Sequence, residues 1–241
     1  MIVDVVTLFP GAFLGPLGEG ILARARRAGR VSFRLHDLRR WGVGPHREVD
    51  DAPFGGGGGM VLKPEPFFEA VEWIRERYPA ARDRVVLLSP QGGRLGHDVA
   101  RRLSALDRLI LLCGRYEGVD ERVREGLADE ELSVGDVVLT GGELPAMAVI
   151  DAVSRFVPGV LGRGEAAEQD SFAHGLLDFP HYTRPTRYRG REVPQVLRGG
   201  DHGAIDRWRS EKALIATKTK RPDLLREGGA GEKSASRARR G

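Results

Sequence analysis

The sequence predicts an α/β protein with a mostly parallel sheet and flanking helices, followed by a small helical domain. Short apolar runs alternate with amphipathic segments, as expected for buried strands covered by helices. The composition agrees, because 41% hydrophobic and 30% charged residues among 241 are typical of a soluble globular chain. From about residue 170 onwards strand-like apolar runs are few, and arginines and aromatic residues become frequent.

The predicted strands are apolar runs, most of which end at a glycine, proline or serine. They are Ile2–Phe9, Val31–Leu35, Val85–Leu88, Leu109–Cys113 and Val137–Leu139. The predicted helices are segments of helical composition or with apolar residues at helical spacing. They are Ile21–Arg27, Phe67–Tyr78, Leu144–Phe156, Asp201–Ala216 and Pro222–Arg226.

Charge divides the chain into two parts. Residues 1–171 carry 22 Lys and Arg against 26 Asp and Glu, whereas residues 172–241 carry 16 against 8. The basic part predicts a polyanionic partner, and a solvated basic tail is the alternative. The predicted organisation is a first domain at 1–161, a linker at 162–171, a helical domain at 172–227 and a disordered basic tail at 228–241.

Several classes of protein are excluded. No apolar run approaches the roughly 20 residues that span a membrane. The N-terminus lacks a basic flank and an apolar signal core, so the sequence predicts a cytoplasmic protein. The single cysteine, Cys113, excludes an internal disulfide and a cysteine-based zinc cluster. No H-x-x-x-H pair occurs, so no structural metal is predicted, and a transient Mg²⁺ near the acids stays open.

Three glycine-containing loops follow predicted strands, at Ser89–Gly93, Gly114–Gly118 and Ser133–Pro145. Ligands of open α/β sheets bind outside the carboxyl ends of the strands, so these loops predict a nucleotide-like pocket. Neither a phosphate-binding G-x-x-x-x-G-K-[ST] loop nor a G-x-G-x-x-G after the first strand is present.

Five consecutive glycines, Gly55–Gly59, follow the charged stretch His46–Asp51. Such a loop can close over a planar base, while an acid accepts hydrogen bonds from guanine and an arginine contacts phosphate. A flexible, solvated surface loop is the alternative.

Taken in chain order, these segments resemble a known family, the bacterial tRNA (guanine-N1)-methyltransferases of the trefoil-knot class. The matching segments are Leu8–Pro10, Val49–Asp51, Gly55–Met60, Leu88–Gly92, Cys113–Arg122, Ser133–Asp136, Leu139–Met147, Ser154–Leu161, Asp170–Phe172, Gly175–Asp178 and Pro180–Pro185. Each motif is moderately specific, and the ordered set is very specific. Gly228–Gly241 departs from longer members of the family, which continue with a helical segment.

The resemblance implies a deep knot in the first domain, which no periodicity could reveal because knots are rare exceptions to chain topology. It also implies S-adenosylmethionine bound in the knot, a homodimer with active sites shared between subunits, and a C-terminal domain that grips tRNA. The implied product is 1-methylguanosine immediately 3′ of the anticodon, at tRNA position 37.

Guanine N1 carries a proton at neutral pH, so methylation needs a base that removes it. Asp170 is the predicted general base, and Arg155 resembles the family's catalytic arginine, which would meet negative charge on guanine O6. A helix-capping role for Asp170 and a helix C-terminal role for Arg155 are the structural alternatives.

Cofactor contacts are expected mainly from backbone. They are Leu87, Leu88, Ser89, Pro90, Gln91, Gly92, Gly114, Val134, Gly135, Asp136, Val137, Val138, Leu139, Gly141, Gly142 and Pro145. The expected substrate contacts are Asp50, Gly59, Arg115, Glu117, Ser171 and Arg184. Arginines interleaved with Tyr182, Tyr188 and Trp208 suit the phosphates and unstacked bases of an anticodon loop.

Two other functions stay open on the sequence. One is a knotted methyltransferase that acts on another RNA, such as ribosomal RNA, or on a ribose hydroxyl. The other is an RNA-binding module without catalysis, which would not bind S-adenosylmethionine.

We expect a chain truncated after Arg226 to keep nearly full methyl-transfer activity, because Gly228–Gly241 has no apolar residue that could anchor it. Its basic residues add only weak phosphate attraction that fades with salt. The measurement is the initial rate of methyl transfer at low and at physiological salt. A large loss of rate at physiological salt would show that the tail is part of the RNA-binding surface.

Overall fold

The computed structural model describes residues 1–162, 167 and 170–225. The chain forms two compact units, Met1–Gly164 and Glu165–Gly241, which are described separately. Most of the predicted linker and all of the predicted tail at 228–241 lie outside the described residues.

The first unit is an α/β structure in which strands and helices alternate along the chain. Its described strands are β1 (Ile2–Thr7), β2 (Ser32–Asp37), β3 (Asp50–Asp51), β4 (Val61–Leu62), β5 (Asp83–Arg94), β6 (Arg108–Cys113) and β7 (Glu130–Ser133). Its described α-helices are α1 (Leu14–Gly18), α2 (Gly20–Arg27), α3 (Pro64–Arg77), α4 (His97–Ser104), α5 (Glu121–Gly126) and α6 (Glu143–Ser154). Short 3-10 helices occupy Pro10–Phe13 and Leu38–Trp41.

The main sheet has five parallel strands in the order β2-β1-β6-β5-β7, and β3 and β4 form a separate antiparallel hairpin. Every residue of β6 is buried, and its side chains alternate between two apolar layers. Leu109 and Leu111 face the layer covered by α1, α2, α4 and α6, whereas Ile110 and Leu112 face the layer covered by α3 and α5. The predicted fold class, a mostly parallel sheet with flanking helices, is confirmed. The knot remains a prediction from the resemblance.

The last predicted strand is wrong. Val137–Leu139 is irregular and exposed, with Val138 86% accessible, and the strand lies instead at Glu130–Ser133. β7 lies at the edge of the sheet and pairs only with β5. It therefore does not have to bury both of its faces, and it carries the two polar residues Glu130 and Glu131. An edge strand therefore lacks the apolar run by which central parallel strands are predicted.

The other predicted elements of the first unit are found with shifted ends. β5 is longer than the predicted Val85–Leu88 and includes most of the predicted loop at Ser89–Gly93, and its register to β7 shifts between Leu88 and Gly93. α1, α4 and α5 are short helices that the sequence did not predict.

The second unit contains the hairpin β8 (Arg187–Tyr188) and β9 (Arg191–Glu192), a 3-10 helix at Gln195–Arg198 and the long helix α7 (His202–Lys220). Asp201 caps α7, because its Oδ1 accepts a hydrogen bond from the Ala204 N–H at 2.9 Å. α7 confirms the helix predicted at Asp201–Ala216 and extends it. Thr217, fully buried in α7, accepts a hydrogen bond from the Leu177 N–H at 2.9 Å and so ties the preceding loop to the helix. Of the helix predicted at Pro222–Arg226, residues 223–225 are helical and Arg226 lies outside the described residues.

We expect Cys113 to be unreactive towards thiol reagents in the folded protein and to react in denaturant. The thiol is fully buried, and burial raises its pKa well above the usual value, with the negative charge of Glu143 adding to the effect. Because folding raises the pKa of the thiol, the protonated thiol contributes to the stability of the folded protein at pH values below the unfolded pKa of about 8.5. This contribution is lost as the pH rises through the pKa of the folded state. The measurement is labelling with a disulfide reagent near pH 8, and fast labelling without denaturant would contradict burial.

Candidate active site

The carboxyl ends of β5, β6 and β7 surround a cavity of about 420 Å³. That volume lies in the range of about 300–1,000 Å³ usual for small-molecule sites. Most of the predicted cofactor contacts are on its wall. They are Leu87, Leu88, Ser89, Pro90, Gln91, Gly114, Val134, Val137, Val138, Leu139, Gly141, Gly142 and Pro145.

Three predicted cofactor contacts, Gly92, Gly135 and Asp136, do not line this cavity. A Cβ on Gly92 would lie 2.4 Å from the backbone nitrogen of Leu132, so Gly92 allows β5 to approach β7. Gly135 donates its N–H to the hydroxyl of Ser133 at 3.1 Å, which shapes the loop after β7. Asp136 is exposed, with its carboxylate 3.4 Å from Arg94. Gly92 therefore lies in β5, and Gly135 and Asp136 lie in the loop after β7, beside the cavity and not on its wall.

Backbone packs against backbone where the chain returns to the end of β6. The N–H of Gly142 donates to the carbonyl of Gly114 at 2.9 Å, and Gly141 pairs with Arg115 in an isolated bridge. A Cβ on Gly142 would lie 2.7 Å from the Cα of Cys113. Neither atom of that contact could rotate away, so only glycine fits at this position.

Sequence reasoning missed several wall residues, of which Tyr116 and Glu131 are the most informative. Tyr116 has a φ of 59° and is 54% exposed, and a non-glycine residue in the left-handed region is often found at functional sites. Its place inside the Gly114–Gly118 loop was the available signal. Glu131 lies in β7, and the sequence pattern predicts the last strand at Val137–Leu139, so it gives no reason to place Glu131 at the end of a strand.

The charged side chains on the wall favour a cationic ligand. Glu121 and Arg124 pair with each other, and the hydrogen bond from Arg124 is the main reason why the pKa of Glu121 is lowered. Arg115 is paired with Glu143, which lies behind the wall. Glu117 and Glu131 are the remaining carboxylates on the wall.

The glycine-rich loop is attached to the rim of this cavity. The Glu117 N–H donates to the carbonyl of Met60 at 3.1 Å, and a Cβ on Gly59 would lie 2.4 Å from the Glu117 Oε1. Asp50, half-buried in β3, pairs with Leu62, whose N–H in turn donates to the carbonyl of Gly118 at 3.0 Å. The first unit therefore brings Gly59, Arg115 and Glu117 together at the cavity, with Asp50 in the adjoining hairpin.

The remaining predicted site residues are divided between the two units. Arg155 belongs to the first unit, is half-buried and directly follows α6. Asp170 belongs to the second unit and is exposed; it begins a turn, with its carbonyl accepting from the Ala173 N–H at 3.2 Å, so it does not cap a helix. Ser171 accepts a hydrogen bond from the Asp178 N–H at 3.0 Å. Arg184 is exposed and lines a shallow pocket with Tyr182 and Tyr188.

Within residues 1–162, 167 and 170–225, no group of three or more His, Cys, Asp or Glu is arranged to hold a metal ion. No helix in the same part of the chain is long and apolar enough to cross a membrane.

Residues 1–227 match the family model described as tRNA (guanine-1)-methyltransferase TrmD. The chain belongs to this family. It is 56% identical over 225 residues to the tRNA (guanine-N(1)-)-methyltransferase of Desulforudis audaxviator, covering 93% of this chain and 90% of that relative. It is 55% identical over 222 residues to the protein of the same name from Geobacter sulfurreducens, covering 92% and 90%. The match to the TrmD family runs through both units and ends just before the predicted tail.

We expect Gly142→Ala to weaken S-adenosylmethionine binding at least 10-fold and to lower the melting temperature. The added methyl group would force α6 away from the end of β6, and overpacking of this kind typically costs about 1–3 kcal/mol. Calorimetric titration and thermal unfolding measure the two effects. Gly11→Ala is the matched control, because no atom lies within 4 Å of a Cβ built there. An unchanged dissociation constant and melting temperature for Gly142→Ala would contradict the close approach.

Proposed function

We propose that this protein transfers the methyl group of S-adenosylmethionine to N1 of the guanosine immediately 3′ of the tRNA anticodon, at position 37. The family match and the name shared by the relatives support the reaction. The observation that carries the proposal is the glycine-built cavity at the carboxyl ends of three parallel strands, because it is large enough for a nucleoside cofactor and offers backbone groups to it.

The residues of the cavity fit S-adenosylmethionine. Backbone N–H and carbonyl groups of β5 at Leu87–Gln91 and of the loop at Val137–Leu139 can pair with an adenine edge and with ribose hydroxyls, and the apolar side chains can cover the base. Glu117 and Glu131 place negative charge near a ligand whose sulfonium is positive. When bound, the cofactor supplies an electrophilic methyl group whose leaving group is a neutral thioether, so no acid is needed on that side.

The protein's own task is to prepare guanine as a nucleophile. The carboxylate of Asp170 accepts the proton from guanine N1 as that nitrogen attacks the methyl group. The guanidinium of Arg155 stabilises the negative charge that develops on guanine O6. Asp50, Gly59 and Glu117 hold the base in this proposal. A transient Mg²⁺ would act on these acids, and the reaction as written does not require one.

The second unit supplies the RNA-binding surface in this proposal, with its helical domain at 172–227 and the linker at 162–171 leading into it. Arg209 lies over the ring of Phe179 at 5.0 Å, and the rings of Tyr182 and Trp208 are 6.3 Å apart. Tyr182 is exposed and the other two rings are half-buried, and accessible rings beside cations suit unstacked bases and phosphates. Ser171 and Arg184 are the proposed RNA contacts nearest to Asp170 in sequence. We also propose a cytoplasmic location, because that is where a tRNA substrate would be met.

We also propose that two copies form a homodimer with shared active sites. Large apolar side chains of the first unit are exposed, including Leu14 at 70%, Val138 at 86% and Leu144 at 60%. A second copy would remove these side chains from water and would complete the pocket of the trefoil knot that the resemblance implies. Light scattering that shows a particle of 26.4 kDa at micromolar protein would contradict the dimer.

The deciding experiment is a methyl-transfer assay on anticodon stem-loops that carry guanosine or adenosine at position 37. Methylation of the guanosine substrate alone, with 1-methylguanosine as the product nucleoside, supports the proposal. Methyl transfer to ribosomal RNA, or to a ribose hydroxyl, would show that the substrate or the methylated atom differs from the one proposed. Absence of S-adenosylmethionine binding in calorimetry would show a binding module instead.

We expect Asp170→Asn to abolish turnover while leaving the dissociation constant of S-adenosylmethionine nearly unchanged. The amide has almost the same shape but cannot accept the N1 proton, and loss of a general base typically costs about 10²- to 10⁴-fold in rate. Single-turnover kinetics and calorimetry measure the two quantities. Full activity of Asp170→Asn would remove Asp170 from the mechanism.

Heterodimers test whether the site is shared. We expect subunits with Asp170→Asn, mixed with subunits carrying Gly141→Trp, to regain one intact site per heterodimer. A Cβ on Gly141 would lie only 2.4 Å from the Arg115 Nε, so we expect a tryptophan at this position to disrupt the cofactor cavity. The measurement is the methyl-transfer rate of verified heterodimers, and no recovery of rate would contradict shared sites.

A further inference from the structure

Four residues from three parts of the first unit form a closed ring of contacts behind the cavity wall. The Thr7 hydroxyl donates to Glu143 Oε1 at 2.7 Å and accepts from the Phe9 N–H at 2.9 Å. Glu143 Oε2 lies 3.3 Å from the Arg115 Nε. The Arg115 guanidinium in turn lies 4.4 Å from the centre of the Phe9 ring. Each of the four residues therefore contacts two others of the ring.

Glu143 is buried, with only 5% of its side chain exposed, although the predicted site does not use it. A buried carboxylate is costly unless its oxygens have partners. Here the Thr7 hydroxyl meets one oxygen, the Arg115 guanidinium meets the other, and the N-terminus of α6 adds a favourable dipole. The carboxylate thus has one well-defined position, and that position determines where Arg115 lies.

Arg115 is held through only one edge of its guanidinium. Its Nε side faces Glu143 and its plane lies over Phe9, while its side chain is 27% exposed and lines the cavity. Among the described residues, its two terminal amino groups donate to no other protein group. A guanidinium held in this way presents the fork that recognises a phosphate or a carbonyl pair.

We propose that Glu143 and Thr7 are positioning residues that orient Arg115 towards a phosphate group of the RNA substrate. This inference rests on the proposed function for the identity of the RNA. An arginine side chain loses rotamer entropy when it is immobilised, and the ring removes much of that freedom before RNA binds. The carboxylate of S-adenosylmethionine is the other anionic group in the proposed reaction, and the test therefore measures cofactor binding beside RNA binding.

The test compares Glu143→Gln with Glu72→Gln, which makes the same chemical change on an exposed face of α3. We expect Glu143→Gln to raise the KM for the anticodon stem-loop about 10-fold, because the uncharged amide attracts the Arg115 guanidinium less strongly. The kcat and the S-adenosylmethionine dissociation constant should change less than about threefold. Glu72→Gln should leave all three unchanged. A rise in the cofactor constant with an unchanged KM would overturn the assignment to RNA.

A purely structural role for Glu143 is tested in the Arg115→Ala background. If Glu143 acts through Arg115, adding Glu143→Gln to Arg115→Ala raises the KM for RNA no further. An equal increase in both backgrounds would overturn the inference. Thr7→Val should raise the KM in the same direction, and Thr7→Ser, which keeps the hydroxyl, should restore it.

Direct RNA binding separates failure of this inference from failure of the proposed function. Filter binding of the labelled anticodon stem-loop needs no turnover. If the unaltered protein binds the stem-loop but methylates nothing, the proposed function fails. In that case weaker stem-loop binding by Glu143→Gln still supports the inference that Glu143 orients Arg115 towards RNA. If the protein is active and Glu143→Gln binds and reacts normally, only the inference on Glu143 fails.

Discussion

The candidate site depends on the close approach of backbone where Gly142 meets Cys113 and Gly114 at the end of β6. This contact brings the start of α6 to the end of a central, fully buried strand. The cavity wall, the bridge between Arg115 and Gly141, and the burial of Glu143 all follow from it. A side chain at position 142 would separate these segments, so a glycine governs the geometry of groups that it does not itself contact.

The molecule uses its backbone and its side chains for different tasks. Loops at the strand ends offer N–H and carbonyl groups, which no change of pH can titrate, to the proposed cofactor. The charged side chain proposed to meet RNA phosphate, Arg115, is held by its neighbours Glu143 and Phe9. Rigid support of this kind costs little reorganisation when a ligand binds.

The sequence predicts those features that depend on local pattern. The central strand β6 is a continuous apolar run, and its prediction at Leu109–Cys113 is confirmed. The edge strand β7 is polar, so its position was predicted wrongly. Most of the wall residues came from the family resemblance and not from periodicity. The contact between Thr7 and Glu143 joins residues 136 positions apart, and no local rule connects them. Such pairs appear only when the strand order brings the ends of β1 and β6 together.

Both outer strands of the main sheet carry charged side chains, with Arg34 in β2 and the acids Glu130 and Glu131 in β7. Charges along an outer strand oppose the addition of a strand from another molecule. Two copies of this protein are therefore kept from joining their sheets into one continuous ribbon. The proposed homodimer would then form through helices and loops, where Leu14 and Leu144 are exposed, and the same charges oppose strand-mediated aggregation at the concentrations of a crowded cell.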